Sequence, residues 1–172
     1  MPDKLRWIER RFAFDLPLSM FPNVLERLRG TPARVEERVR DRDATTLRCR
    51  LEKTWSIQEN IGHLIEVERL WLGRLDDFAG GLTHLRPADM SNASTDAADY
   101  NSKNLPEVLS RFRELRNQFV RRLETLDESM IGRSAHHPRL NQPMRILDLM
   151  VFAAEHDDHH LARISELLRA ME

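Results

Sequence analysis

The chain has 172 residues and a mass of 20.2 kDa, enough for one domain whose core needs neither disulfides nor a structural metal. Its 27 basic and 28 acidic residues give a formal charge of -1 and a pI near 6.7, which argues against a nucleic-acid binder with a basic face and against a polybasic membrane anchor. One cysteine, Cys49, excludes an internal disulfide framework and multi-cysteine metal sites, while six glycines and one tyrosine are few for the many turns of an all-β sandwich.

The first residues, Met1 to Trp7, carry no apolar stretch of the secretory kind, so the expected location is the cytoplasm. An N-terminal arm over 3–16 has Leu5, Ile8 and Phe12 at helical spacing and stops at Pro17, which predicts a short amphipathic helix packed on the bundle. The first long helix is predicted from about Phe21 to Asp43. Pro22 suits its first turn, and Val24, Leu25 and Leu28 form its stripe. Gly30-Thr31-Pro32 predicts a kink, with Thr31 capping and Pro32 opening the second part.

The second helix has the clearest start. Ser56-Ile57-Gln58-Glu59 is a capping box, in which the serine oxygen accepts from the Glu59 amide and the glutamate accepts from the serine amide. Ile57, Ile61, Leu64, Trp71, Leu75 and Phe78 follow at spacings of three and four, with Glu68 in the one gap. The expected posture of Glu68 is outward, its stem on the apolar face and its carboxylate in water. Gly80-Gly81 ends the helix, where one residue adopts a left-handed conformation. Residues 82–104 form a long polar connection. Its simpler reading is a crossover that lets the second and third helices lie parallel; its functional reading is a segment lining a site mouth.

The third helix is predicted from near Pro106 to about Leu126, with Val108, Leu109, Phe112, Leu115, Phe119, Val120 and Leu123 inward. Arg111, Arg113, Arg116, Arg121 and Arg122 read as a solvated face balanced by Glu107, Glu114 and Glu124. A linker over 134–143 precedes the fourth helix, from about Met144 to Ala170. No repeat, alternating strand, phosphate loop or nucleophile elbow stands out. The expected fold is all-α, a four-helix bundle with a long crossover between helices two and three.

Three of the seven histidines carry the chemistry. On a helical wheel Leu149, Ala153, His156, His160, Ile164 and Leu167 fall on one face, so two imidazoles one turn apart occupy the core stripe. That spacing lets both rings bind one ion at about 2.0–2.1 Å, and a metal relieves two buried nitrogens that otherwise cost about 1–3 kcal/mol each. No glutamate follows His156, so a metallopeptidase motif does not fit. His63, between Val67 and Leu70 on its wheel, is the third candidate; alone, such a residue reads as a hydrogen-bonded imidazole at a core margin. Asp157 and Asp158 are candidates to orient an imidazole but are expected to face solvent. His84, His136, His137 and Asn141 sit in loops, and Cys49 in a linker, as weaker candidates.

The segment Lys53-Thr54-Trp55-Ser56-Ile57-Gln58-Glu59-Asn60-Ile61-Gly62-His63-Leu64 resembles the signature around the first metal ligand of the DinB-like (DinB/YfiT) family. Glu155-His156-Asp157-Asp158-His159-His160-Leu161-Ala162-Arg163-Ile164 resembles its C-terminal signature, and the likeness runs from about Phe21 to Leu168. The resemblance implies an up-down-down-up bundle. It also implies one divalent ion, nickel or zinc, held by a triad that maps onto His63, His156 and His160. Family members include thiol S-transferases, a mycothiol-dependent isomerase and proteins proposed to be metal hydrolases; many are stress-associated and dimeric.

The resulting expectation is one domain over 1–172, with an arm at 1–20 and a bundle at about 21–170. The expected activity is transfer of a low-molecular-weight thiol to an electrophilic substrate through a metal-bound thiolate, or hydrolysis by metal hydroxide. The rival is a non-catalytic metal-binding module for stress response or protein interaction. The expected partners are a small thiol and an electrophile, with no nucleic acid and no membrane. A homodimer is expected from the family, with Trp7 and Phe14 of the arm as a candidate contact.

Overall fold

A computed structural model describes residues 5–171. Its long elements are the kinked pair α1 (Phe21–Arg29) and α2 (Thr31–Val39), followed by α3 (Ala44–Arg48) and α4 (Ile57–Ala79). The crossover carries α5 (Ala93–Ala97) and leads to α6 (Leu105–Glu124). The turn α7 (Glu128–Ile131), the strands β1 (Ser134–His137) and β2 (Gln142–Arg145), and α8 (Ile146–Ala170) complete it. No helix among the described residues is long and apolar enough to cross a membrane.

The start of α4 forms as its sequence dictates. The Glu59 N–H donates to Ser56 Oγ at 3.1 Å and the Ser56 N–H donates to Glu59 Oε2 at 2.9 Å. Arg50 clamps the same carboxylate and, against the cost of burial, holds it below the usual glutamate range. Gly81, at φ +70°, supplies the left-handed exit.

Side-chain pairs fix the directions of the helices. Gln58 at the start of α4 donates to the carbonyls of Tyr100 and Lys103, just before α6, and further along Glu68 pairs with Arg116, so α4 and α6 run parallel. The ring of Trp71 meets that of Phe152 while His63 meets His160, so α8 runs antiparallel to α4. Arg29 reaches Glu124 and Arg113 reaches Glu36, so the first pair is antiparallel to α6. The order is up-down-down-up, and the connection over 82–104 is the crossover that makes it so. The crossover is seated on α4 at Gly62, where an added Cβ would stand 2.1 Å from the Tyr100 ring.

The apolar core is in two parts. One gathers Leu28, Trp71, Phe78, Phe119, Leu123 and Phe152; the other gathers Val35, Ile57, Ile61, Phe112, Leu161 and Ile164. Between them, at the waist of the bundle, lie Glu68, Arg116, His156, Asp157 and His160, all buried.

Several sequence expectations are corrected here. The arm is not a helix: Trp7–Glu9 form one 3-10 turn, Leu5 and Ile8 are exposed, and Trp7, Phe12 and Phe14 pack inward. Asp3 and Lys4 lie outside the described residues. The first helix ends at Val39, and Thr31 caps nothing; its hydroxyl donates to Asp157 Oδ2 at 2.7 Å instead. The linker over 134–143 folds as an antiparallel hairpin pairing Ala135 with Met144 and His136 with Pro143. Its strands are four residues each, and the inward positions Ala135, His137 and Met144 give no apolar alternation. Arg116, Glu68 and Asp157 are fully buried rather than solvated, because each meets an opposite charge.

Candidate metal centre

The wheel face of α8 is buried throughout, and it carries His156 and His160 with ring centroids 4.6 Å apart. The capped first turns of α4 present His63, partly buried, at 5.3 Å from His156 and 4.8 Å from His160. One ligand nitrogen from each of the three rings lies within 4.8 Å of the others. The spacing of α8 therefore places two imidazoles together, and antiparallel packing brings the third.

Two neighbours orient the rings. Asn60 Nδ2 donates to the carbonyls of Ser56 at 2.8 Å and Trp55 at 3.3 Å. Carbonyls only accept, so Asn60 Oδ1 is the atom that faces His160 Nδ1 at 2.9 Å. His160 therefore carries its proton on Nδ1 and a lone pair on Nε2. His63 Nδ1 lies 3.0 Å from Thr95 Oγ1, a contact supplied by α5 of the crossover. Outer partners of this kind fix the tautomer and orientation of ligating imidazoles.

His156 is the odd member. Its Nδ1 is buried and has no hydrogen-bond partner among the described residues, a condition that costs about 1–3 kcal/mol unless something external meets it. Burial, with the charge of His159, pushes His63 down to about 4, and burial with the charges of His63 and His159 pushes His156 far below the usual histidine range. Both rings are neutral near pH 7, the form that binds metal. Neutral nitrogens, a shared focus and an orphaned buried atom fit a divalent ion.

The triad forms one wall of a cavity of about 410 Å³. Trp55 lies tilted against His63 at 4.8 Å, while Trp7 and Trp71 stand edge-on to His156 at 5.0 and 5.9 Å. The crossover lines the cavity through Asp89, Met90, Asn92 and Thr95, so both readings of that segment hold together: it lets α4 and α6 run parallel and it builds the site. Of the weaker candidates, His137 lines the cavity, as does His159, which flanks the pair on α8. His84 and His136 pair with each other at the hairpin, 5.3 Å apart, and Asn141 Oδ1 accepts from His136 Nε2 there. Cys49 ends α3, its Sγ 3.9 Å from the Arg50 carbonyl. Asp158 is held below the usual aspartate range by Arg27 and Arg34 against the cost of its burial. Asn60, Thr95 and Trp7 are site residues that the sequence reading passed over. Asn60 alone left a signal, a polar residue one turn before His63 and next to Ile61 of the apolar stripe.

A family model described as the DinB superfamily matches residues 27–164. No curated protein matches the sequence. Among solved structures, YfiT from Bacillus subtilis is 21% identical with a TM-score of 0.83, over 95% of this chain and 94% of that one. It is described as a probable metal-dependent hydrolase with an unusual four-helix bundle topology. An uncharacterised protein from Clostridium difficile 630 is 12% identical with a TM-score of 0.68, over 93% and 98%. The mycothiol-dependent maleylpyruvate isomerase is 11% identical with a TM-score of 0.68, over 88% of this chain and 62% of that one.

Proposed function

The chain belongs to the DinB superfamily, and on that premise we propose that it is a metal-dependent enzyme that joins a low-molecular-weight thiol to an electrophilic substrate, with hydrolysis as the variant. His63, His156 and His160 are the ligands, and nickel or zinc the ion. A divalent ion held there supplies Lewis acidity and lowers the pKa of a bound thiol or water toward neutrality.

The residues of the chain do the rest. Asn60 keeps the proton of His160 on Nδ1, which leaves Nε2 as the acceptor of that ring, and Thr95 orients His63 through its Nδ1. Trp7, Trp55 and Trp71 exclude water from two sides, which strengthens every electrostatic interaction inside. The same apolar walls suit a substrate with hydrocarbon character. A cytoplasmic location, one domain over the whole chain and a homodimer belong to this proposal.

The observation that carries the reading is the orphaned Nδ1 of buried His156 within a three-imidazole cluster that faces a cavity. An ion that merely stapled the bundle would need no such opening. Metal analysis of protein purified without a polyhistidine tag tests the ligands, with about one ion per chain expected. His156→Ala and His160→Ala should lose it, and unchanged metal content in both refutes the assignment. A thiol panel with a chromogenic electrophile tests the reaction; no metal-dependent consumption with any thiol removes the transferase version.

A further inference from the structure

The wall of the cavity away from the histidines is cationic and has no acid of its own. Arg74 is 1% exposed and lines the cavity, yet among the described residues it makes no ion pair: Asp77, whose charge also acts on it, is clamped by Arg86. Its Nε and Nη2 donate to the Arg86 carbonyl, both at 3.2 Å, and its Nη1 lies 3.0 Å from His137 Nε2. That leaves one N–H on each terminal nitrogen. Arg139 also lines the cavity without an ion pair, and its Nη2 is buried with no hydrogen-bond partner among the described residues.

His137 does not relieve the excess. The Leu140 N–H points at its Nδ1 at 3.2 Å while Arg74 points at its Nε2. A neutral imidazole has one acceptor nitrogen, so it satisfies one of the two. The corner holds more donors than acceptors and two guanidinium charges. Two carboxylates elsewhere in the lining are committed: Glu66 accepts from Tyr100 and Arg69, and Asp89 accepts from the hydroxyl and amide of Ser91.

Each guanidinium stands one aromatic ring from the triad. Arg74 lies 5.5 Å from the Trp71 ring, and Trp71 meets His156. Arg139 lies 5.9 Å from the Trp7 ring, and Trp7 also meets His156. The rings supply cation–π contact but cannot neutralise the charge. Arginine forks match a carboxylate bidentately, and arginines without a salt bridge in the lining of a cavity mark where an anionic ligand belongs.

We propose that the cavity takes a small organic acid, its carboxylate held by Arg139 and Arg74 and its reacting carbon toward the three histidines. This deepens the reading above, on which it rests for the chemistry at the histidine end. The arginine corner itself is formed without the ion.

Binding of phenylacetate and of its neutral isostere phenylacetamide tests it, followed by tryptophan fluorescence and calorimetry, with metal loaded and after chelation. In the wild-type chain the acid should bind about tenfold or more tighter than the amide in both states. Arg139→Gln, at a partly exposed loop position, should abolish most of that preference while metal content and melting temperature stay unchanged. Arg139→Lys should keep part of it. Equal binding of acid and amide to the wild type, no binding of either, or a preference that survives Arg139→Gln overturns the proposal. Inorganic phosphate binding as tightly as phenylacetate overturns the assignment to an organic acid. A preference lost on chelation and in His156→Ala but kept in Arg139→Gln means that the acid ligates the ion, which defeats this inference and leaves the metal reading intact. A preference that tracks Arg139 in a chain that binds no ion does the reverse.

Discussion

Two polar clusters meet at the waist of the bundle, on adjacent residues of α8, and they are built in opposite ways. On one side Asp157 joins Arg116 and Glu68. All five N–H groups of the Arg116 guanidinium are used: toward Glu68 Oε1 from Nε at 2.9 Å and from Nη2, toward Asp157 from Nη1 at 2.6 Å and Nη2 at 2.9 Å, and toward the Leu28 carbonyl at 2.9 Å. With two carboxylates to one guanidinium, burial pushes Glu68 up toward its protonated form, and the Asp157 charge adds to that push. On the other side His156 joins His160 and His63 as neutral rings, with a buried nitrogen left over. The first cluster pairs its charges within the chain, leaves only Glu68 Oε2 without a hydrogen-bond partner among the described residues, and ties α4, α6, α8 and the α1–α2 kink into one register. The second is left open toward a cavity. A buried network whose charges the chain itself pairs serves the fold, whereas neutral rings with an orphaned nitrogen beside a cavity wait for a ligand.

If that contrast is right, mutations in the two clusters have effects of opposite sign on the metal-free chain. Arg116→Met strands two buried carboxylates and should cost about 3–5 kcal/mol in denaturant unfolding. Replacing Glu68 and Asp157 with Gln and Asn in the same chain should recover much of the loss. His156→Leu removes an unsatisfied polar atom from the same depth. With chelator present it should leave stability unchanged or raise it by up to about 1–3 kcal/mol, while metal binding is lost. A large destabilisation of the chelated protein by His156→Leu would erase the distinction between the clusters.

The contrast also explains what could be read from the sequence. Local features were legible: the Ser56–Glu59 box, the Gly80-Gly81 stop and the wheel position of His156 and His160 all lie within a few residues of each other. The closed cluster was not. Charged residues in an amphipathic pattern default to solvent, and what buries Arg116 is Glu68 and Asp157, which lie 48 and 41 residues away. Asn60 is legible as an oddity three residues before His63, but its partner His160 is 100 residues distant. The arginine corner needs the hairpin, whose short strands have no apolar alternation, and the arm, whose helical spacing is overridden by packing Trp7 onto the cavity.

Asn60 sharpens the comparison from within the open cluster. It is the one fixed acceptor there, so Asn60→Ala should weaken metal affinity by about 10–100-fold, read by competition with a chromogenic chelator. Asn60→Asp keeps an acceptor oxygen for His160 and should restore most of the affinity. Equal affinities across the three chains would mean that the His160 tautomer is set by something other than Asn60.

The smallest effect concerns His137, which belongs to the cavity but to neither cluster. Burial, with the charges of Arg74 and Arg139, pushes its pKa down to about 3. The folded chain therefore keeps this ring neutral while the unfolded chain protonates it below about 6.5. The unfolded state binds more protons in that window, so the contribution of His137 to stability is present above about pH 6.5 and is lost progressively as pH falls toward 3. Between pH 7 and pH 5 the wild type should lose up to about 2 kcal/mol more than His137→Gln, measured by denaturant unfolding of metal-free protein. His63 and His156 titrate in the same direction in both chains and cancel from the difference. Parallel curves would mean that His137 is charged in the folded state, which two unpaired guanidiniums beside it would not tolerate. The size of the gap thus reads the joint effect of burial and of the two guanidinium charges on this ring.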